Sequence, residues 1–146
     1  MKKLTLLLSV LLLISCGDIR VIEEKQQEIV EAKLPEIEEG KGQLCICRSI
    51  LSGVGASFTI SVNGEPIVES SRPSFFCVNL RPGEYIITGG SGIGMETTIR
   101  QEQRRFVEFS GVGGLGFNIT SREIGLSCIN GKRMIPINYE QKNEKY

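Results

Sequence analysis

Between residues 43 and 120 the chain is cut into short β-rich runs by turn residues, and that pattern limits the fold more than any other feature. Residues 57–62 alternate, with Phe58, Ile60 and Val62 on one face, and Asn63-Gly64 comes next. That dipeptide is the strongest two-residue hairpin signal, because both central positions of a type I′ turn need positive φ. Residues 66–69 form a short return strand. Residues 43–49, 74–80, 85–88, 95–100, 105–110 and 117–120 are the other strand candidates. Arg81-Pro82-Gly83-Glu84 reads as a type II turn with Gly83 at positive φ. Short strands at this spacing specify a mainly β fold, a small antiparallel β-sandwich. Phe58, Ile60, Val62, Phe76, Val78, Leu80, Ile86, Phe106 and Ile119 are its candidate core. One short C-terminal helix is expected near residues 121–130, capped by Ser121 and ended by Gly131. The domain is placed at 43–137, with a polar tail at 138–146.

The N-terminal segment is of another kind. Lys2 and Lys3 precede an almost purely apolar run from Leu4 to Ile14. The run is too short to span a hydrocarbon core of about 30 Å, and it has the flanks of a secretory signal. It ends in Leu13-Ile14-Ser15-Cys16, which resembles the lipobox of bacterial lipoproteins. The resemblance implies diacylglyceryl transfer to the Cys16 thiol, cleavage after residue 15 and acylation of the new amine. Residues 1–15 are then a lipoprotein signal peptide, and the membrane is a partner through the lipid on Cys16. Gly17 rather than an aspartate stands after the cysteine. In the sorting system that this resembles, that residue favours the outer membrane, on its periplasmic or surface face. Residues 16–42 read as an acidic tether, flexible or partly helical. Its stretch after Cys16 holds eight acids and four bases, with apolar residues at Val21-Ile22, Ile29-Val30 and Leu34. A solvated spacer is expected there, since two turns of apolar spacing fall short of a coiled coil.

Charge and motifs exclude more than they assign. The chain carries 17 basic and 17 acidic residues, and residues 43–146 carry a net +2. Neither balance offers the strongly basic face that nucleic acid requires. The absence of histidine removes Ser-His-Asp and Cys-His nucleophile pairs and every histidine metal site. Residues 111–116, GVGGLG, fit G-x-G-x-x-G. The dinucleotide fingerprint needs those glycines between a strand and a helix, and residues 117–120 read as extended. Glycine loops are expected at 111–116 and 89–94. Glu65, Glu69, Glu84 and Glu96 are scattered at turns and strand edges, and Arg100, Arg104 and Arg105 group around a solvated turn. No catalytic residue, cofactor or metal is assigned.

Four cysteines remain in the domain: Cys45, Cys47, Cys77 and Cys128. An exported domain with an even number raises disulfides, and four buried thiols are the alternative. The C-x-C spacing lacks the paired knuckles of a four-thiolate metal site. Cys45 and Cys47 share a strand face and are awkwardly placed to bridge each other. Cys77 has the parity opposite to Phe76, Val78 and Leu80, which puts it on an outer face, away from core cysteines. At most one disulfide is therefore expected, joining Cys77 or Cys128 to Cys45 or Cys47.

Four features in order carry a further resemblance: Ile46-Cys47-Arg48, Ser61-Val62-Asn63-Gly64-Glu65-Pro66-Ile67, the run from Phe75 through Arg81-Pro82-Gly83-Glu84-Tyr85, and Thr120-Ser121-Arg122-Glu123-Ile124-Gly125. This pattern is similar to small bacterial lipoprotein domains of unknown function with a prealbumin-like β-sandwich, a fold shared with transthyretin-like and carboxypeptidase-regulatory-like domains. The resemblance implies a fold and a compartment, and no activity. The expected function is a lipid-anchored, non-enzymatic binding or interaction module of the cell envelope, docking another envelope protein or surface component. A structural accessory of a larger assembly is the alternative, and an enzyme of unrecognised type the less favoured one.

Overall fold

A computed structural model describes residues 22–49, 57–90, 92–110 and 116–139. Helix α1 (Glu24–Glu31) precedes β1 (Gly42–Arg48), β2 (Phe58–Val62), β3 (Glu65–Ser70), β4 (Ser74–Leu80) and β5 (Gly83–Gly89). Strands β6 (Ile93–Ile99), β7 (Arg104–Ser110) and β8 (Gly116–Thr120), helix α2 (Arg122–Ile129) and the short β9 (Arg133–Met134) complete it. One sheet has the order β8-β7-β1-β4-β9 and the other β3-β2-β5-β6. This is the mainly β sandwich with a short C-terminal helix that strand periodicity implies.

Period-2 alternation decides what lies between the sheets. Leu44, Ile46, Ile60, Val62, Phe76, Val78, Leu80, Ile87, Val107 and Phe109 form the inner core. Each such side chain contributes about 1.5–3 kcal/mol on burial. Asn63 and Gly64 hold φ of 50° and 79°, as their hairpin demands. The Asn63 Oδ1 also accepts from the Ile86 N–H at 2.9 Å, tying the tip to β5. Gly89 has no side chain to clash where the Phe117 ring passes, since a Cβ there would lie 2.9 Å from the ring.

Several expectations are corrected. The sandwich is not wholly antiparallel, because β1 pairs in parallel with β7 and β4 with β9. Gly83 does not adopt positive φ; it opens β5 in ordinary extended backbone. The reason is topological: β4 and β5 lie in different sheets, so the link is a crossing between layers and not a hairpin turn. The Tyr85 hydroxyl donates to the Arg81 carbonyl at 2.7 Å across that crossing. Ile86 and Ile119 are not core residues but are 49% and 48% exposed. On β5 the buried set is Tyr85 and Ile87, and Ile86 faces outward.

The largest difference is a third layer. Residues 24–31 do not form a solvated spacer; α1 packs on α2 and on the outer face of the five-stranded sheet. Val30 and Leu34 are buried with Cys45, Cys47, Phe75, Phe106, Leu126 and Ile129 in a second core. Every residue of β1 is therefore buried, on both faces of the strand. The Ser121 hydroxyl caps α2 by accepting from the Ile124 N–H at 3.3 Å. Gly131 takes φ of 74° just beyond its end. Gly125 lets α2 lie directly on the Phe106 ring.

Candidate functional site

Cys16 and the 111–115 glycines lie outside the described residues. The next element after that glycine segment is β8, antiparallel to β7, with Ser110 opposite Gly116. The dinucleotide fingerprint requires a helix N-terminus at that point, and a strand occupies it instead.

The four domain cysteines form two disulfides, Cys45–Cys77 and Cys47–Cys128. This corrects the expectation of at most one bridge, and it leaves neither buried thiols nor a thiolate metal site. Cys77 does face away from Phe76 and Val78, as its parity dictates. Cys45 and Cys47 face the same way, because Leu44 and Ile46 fill the inner core instead. Cys45 and Cys77 are direct neighbours across β1 and β4, with Cα atoms 4.1 Å apart. Cys128 reaches Cys47 because α2 covers that outer face.

A polar network locks the helical layer down. Gln43, 0% exposed, donates from Nε2 to the Pro35 carbonyl at 3.0 Å and to Asn79 Oδ1 at 3.1 Å. Its Oε1 accepts from Arg104 Nε. Arg104 also donates to the Pro35 carbonyl at 2.9 Å and pairs with Glu31 at 3.3 Å. Arg122 grips Glu31 and donates to Gln27 Oε1 at 3.1 Å. Burial pushes the Arg104 guanidinium below its ordinary range, and Glu31 offsets part of that shift. The Arg100, Arg104 and Arg105 group is thus divided. Arg104 is structural, and Arg105 donates to the Thr98 carbonyl at 3.3 Å. Arg48, at the other end of β1, is buried, donates to the Ser70 carbonyl and lies 4.7 Å from the Phe58 ring centre.

One concavity among the described residues is a cleft of about 510 Å³ where β5 and β6 approach β7 and β8. Its wall is built by sheet register: Glu84 lies opposite Thr98 and Ile86 opposite Glu96. Ile119 and Arg105 close the far side and Asn63 one end. Thr97 is 5% exposed, lines the cleft, and its Oγ1 has no hydrogen-bond partner. Two exposed isoleucines, two carboxylates and one guanidinium suit the binding of an amphipathic molecule. Strand parity alone places Ile86 and Ile119 in the core, so this cleft is not legible in the sequence. The signal available is the β5 sequence itself, where Tyr85-Ile86-Ile87 leaves the inward face ambiguous. Glu84 and Glu96, scattered in sequence, are brought to one wall, whereas Glu69 is held by the Ser57 hydroxyl elsewhere. A smaller hollow of about 280 Å³ lies between Cys77, Val78, Asn79, Glu38 and the 134–139 segment.

Two stacked sheets, a helical outer layer and two crosslinks to the central strand define a small disulfide-bonded β-sandwich. No protein-family model matches the chain, and no curated protein matches it. One similar solved structure is the N-terminal domain of AlgF from P. aeruginosa, with a TM-score of 0.45 and 10% identity. The likeness covers 59% of this chain and 100% of that one, and at that score it carries no functional argument. No described helix is long and apolar enough to cross a membrane.

Proposed function

We propose that the chain is a bacterial lipoprotein, held in the cell envelope through acylated Cys16, whose prealbumin-like sandwich acts as a non-enzymatic binding module. The Leu13-Ile14-Ser15-Cys16 stretch after a charged and then apolar leader carries this reading. The two disulfides support it, because such bridges persist in oxidising compartments outside the cytosol. They also consume the other four of the five cysteines, so no cysteine of the chain is left for Cys16 to bridge. Gly17 favours the outer membrane where the cell has one. The chain has no histidine, and the domain cysteines are bridged, which leaves no thiol nucleophile there and supports a role without catalysis. The partner is another envelope protein or surface component, and the cleft between Ile86 and Ile119 is its candidate contact.

Metabolic labelling with a fatty acid tests the anchor. Label is expected on the wild-type chain and not on Cys16→Ser, which accumulates as precursor. An unlabelled wild-type chain refutes the proposal. Photo-crosslinking from position 119 in intact cells tests the module: one specific neighbour is expected, and turnover of a small molecule by the purified domain refutes the non-enzymatic role.

A further inference from the structure

We propose that the partner docks by adding an extended strand to the free edge of β6, along residues 94–98, with a basic residue opposite Glu96 and apolar residues on either side of it. The inference deepens the binding-module reading of the cleft and rests on it. Strand β6 ends its sheet, so one of its sides has no paired strand. Strand β5 fixes which backbone groups face that side. The Ile86 N–H donates to Asn63 Oδ1 at 2.9 Å and the Ile86 carbonyl accepts from the Asn63 N–H at 2.8 Å, both away from β6. Glu96 lies directly opposite Ile86, so its own N–H and C=O point to the free side. By alternation those of Gly94 and Thr98 do the same. The Thr98 carbonyl agrees with this, because it accepts from Arg105 Nη2 at 3.3 Å. No described strand pairs with the remaining groups.

The other sheet edges are blunted by devices that discourage strand addition. Strand β3 carries Pro66 and lies against a register shift between Ile60 and Ser61. Strand β9 has two residues, with Pro136 close behind, and β8 has five. Strand β6 has seven residues, no proline and an unbroken register on β5. Exposed apolar surface gathers beside it: Ile86 and Ile119, 49% and 48% exposed, line the same cleft as Glu96 and Thr98. Glu96 is the one charged residue of β6 and stands at its middle. In the antiparallel register that uses Gly94, Glu96 and Thr98 together, a second copy would set Glu96 against Glu96, and like charges directly opposite are destabilising. A lysine or arginine in that place meets the Glu96 carboxylate, and Glu84, on the same face of β5, adds to the negative field. Arg105 does not neutralise them, since its guanidinium is turned to the Thr98 carbonyl. The added strand's neighbouring side chains point as Met95 and Thr97 do, toward the inner side, where Ile119 offers apolar surface. Charge and parity together thus specify a strand that alternates apolar and basic residues.

The test titrates the mature protein with a capped peptide alternating valine and lysine, and with its valine–glutamate counterpart, followed by backbone amide NMR. Saturable shifts and slowed amide exchange at Gly94, Glu96 and Thr98 are expected with the lysine peptide. Glu96→Thr removes the charge and should weaken it several-fold. Glu96→Pro also removes the outward N–H, which the β5 ladder does not use, and should cost at least a further tenfold. Glu96→Lys keeps every backbone group and should reverse the preference to the glutamate peptide. Shifts confined to other strands overturn the proposal, as does a preference that survives Glu96→Lys. A dimer that Glu96→Pro dissolves overturns it in favour of a second copy, and a tenfold gain in peptide affinity on deleting residues 140–146 in favour of the chain's own tail. Crosslinking from position 119 in cells separates this from the reading beneath it. A neighbour still captured by Glu96→Pro overturns the edge pairing and leaves the binding module standing. No neighbour in cells, with the lysine peptide still on β6, overturns the module's role there and supports the edge pairing.

Discussion

Gly125→Ala tests how tightly the helical layer is seated. A Cβ at position 125 would lie 2.4 Å from Cγ, 2.5 Å from Cβ and 2.6 Å from Cδ1 of Phe106. Ordinary carbon contacts are about 3.5–4.0 Å, so roughly 1 Å is missing. Ring rotation cannot supply it, because Cβ and Cγ of Phe106 lie on the rotation axis and do not move. Helix α2 would have to retreat, yet Leu126 is fully buried and Cys128 is bridged to Cys47. Overpacking of this kind costs about 1–3 kcal/mol. The helix itself gains about 1 kcal/mol when alanine replaces glycine. The net expectation is a loss of up to about 2 kcal/mol, or up to roughly 10 °C in Tm for a domain of this size. Urea unfolding of the oxidised protein, followed by near-UV circular dichroism, measures it. In a Phe106→Gly background all three of these contacts are gone, and the same substitution should stabilise by about 1 kcal/mol. Stabilisation of that size in the wild-type background would refute the close approach of α2 to β7.

Alkylation of the denatured, unreduced mature domain should modify none of Cys45, Cys47, Cys77 and Cys128, and tryptic peptides containing residues 42–48, 77 and 128 should stay linked; two free thiols would refute the paired bridges. The Cys47–Cys128 bridge spans 81 residues, and removing it with Cys47→Ala and Cys128→Ala should cost about 4 kcal/mol in thermal or urea unfolding. Gln43→Met removes the Gln43 partner of Arg104 Nε and of Asn79 Oδ1, so a loss of about 2–4 kcal/mol is expected by the same assay. The Glu123 carboxylate accepts its own backbone N–H and a bond from Ser121, which holds it below the ordinary 4.5. Its folded pKa is depressed, so its contribution to α2 is present above pH 4.5 and is lost as pH falls through the folded value. A carboxyl resonance of Glu123 titrating at or above 4.5 would contradict this.

Strand positions are legible in the sequence because one face of each strand meets the inner core. Ile60 and Val62 on β2 and Phe76, Val78 and Leu80 on β4 show clean alternation, and Asn63-Gly64 and Ser121 mark their turn and cap. Strand β1 hides more. Leu44-Cys45-Ile46-Cys47 is a continuous apolar run, the mark of a strand covered on both sides. Reading its cysteines only as disulfide candidates misses that covering. Helix α1 buries Gln27 and Val30 and the turn after it buries Leu34, too few positions to distinguish a docked helix from a solvated one. Its docking depends on Arg104 and Arg122, more than 70 residues away in sequence, which no local pattern reveals. The cleft is illegible for a similar reason: it joins Ile119 on β8 to Ile86 and Glu96 on β5 and β6, residues of two different sheets.

Strand β1 also has a consequence for the order of folding. It is the first strand to be made and one of the last to be completed. Its antiparallel neighbour β4, its parallel neighbour β7 and its second crosslinking partner on α2 all come later in the chain, the last from 81 residues downstream. Such long-range pairing slows folding, because the loops must close before the contacts form. Until Cys128 is available, Cys47 is a free thiol two residues from Cys45, and both compete for Cys77. Thiolate attack by Cys47 on the newly formed Cys45–Cys77 bond would exchange one pairing for the other. The native pairing therefore emerges only once α2 has settled on the outer face and withdrawn Cys47 from the competition. Oxidation before that point yields a shuffled chain, and recovery from it requires a disulfide isomerase or a thiol buffer acting over seconds to hours.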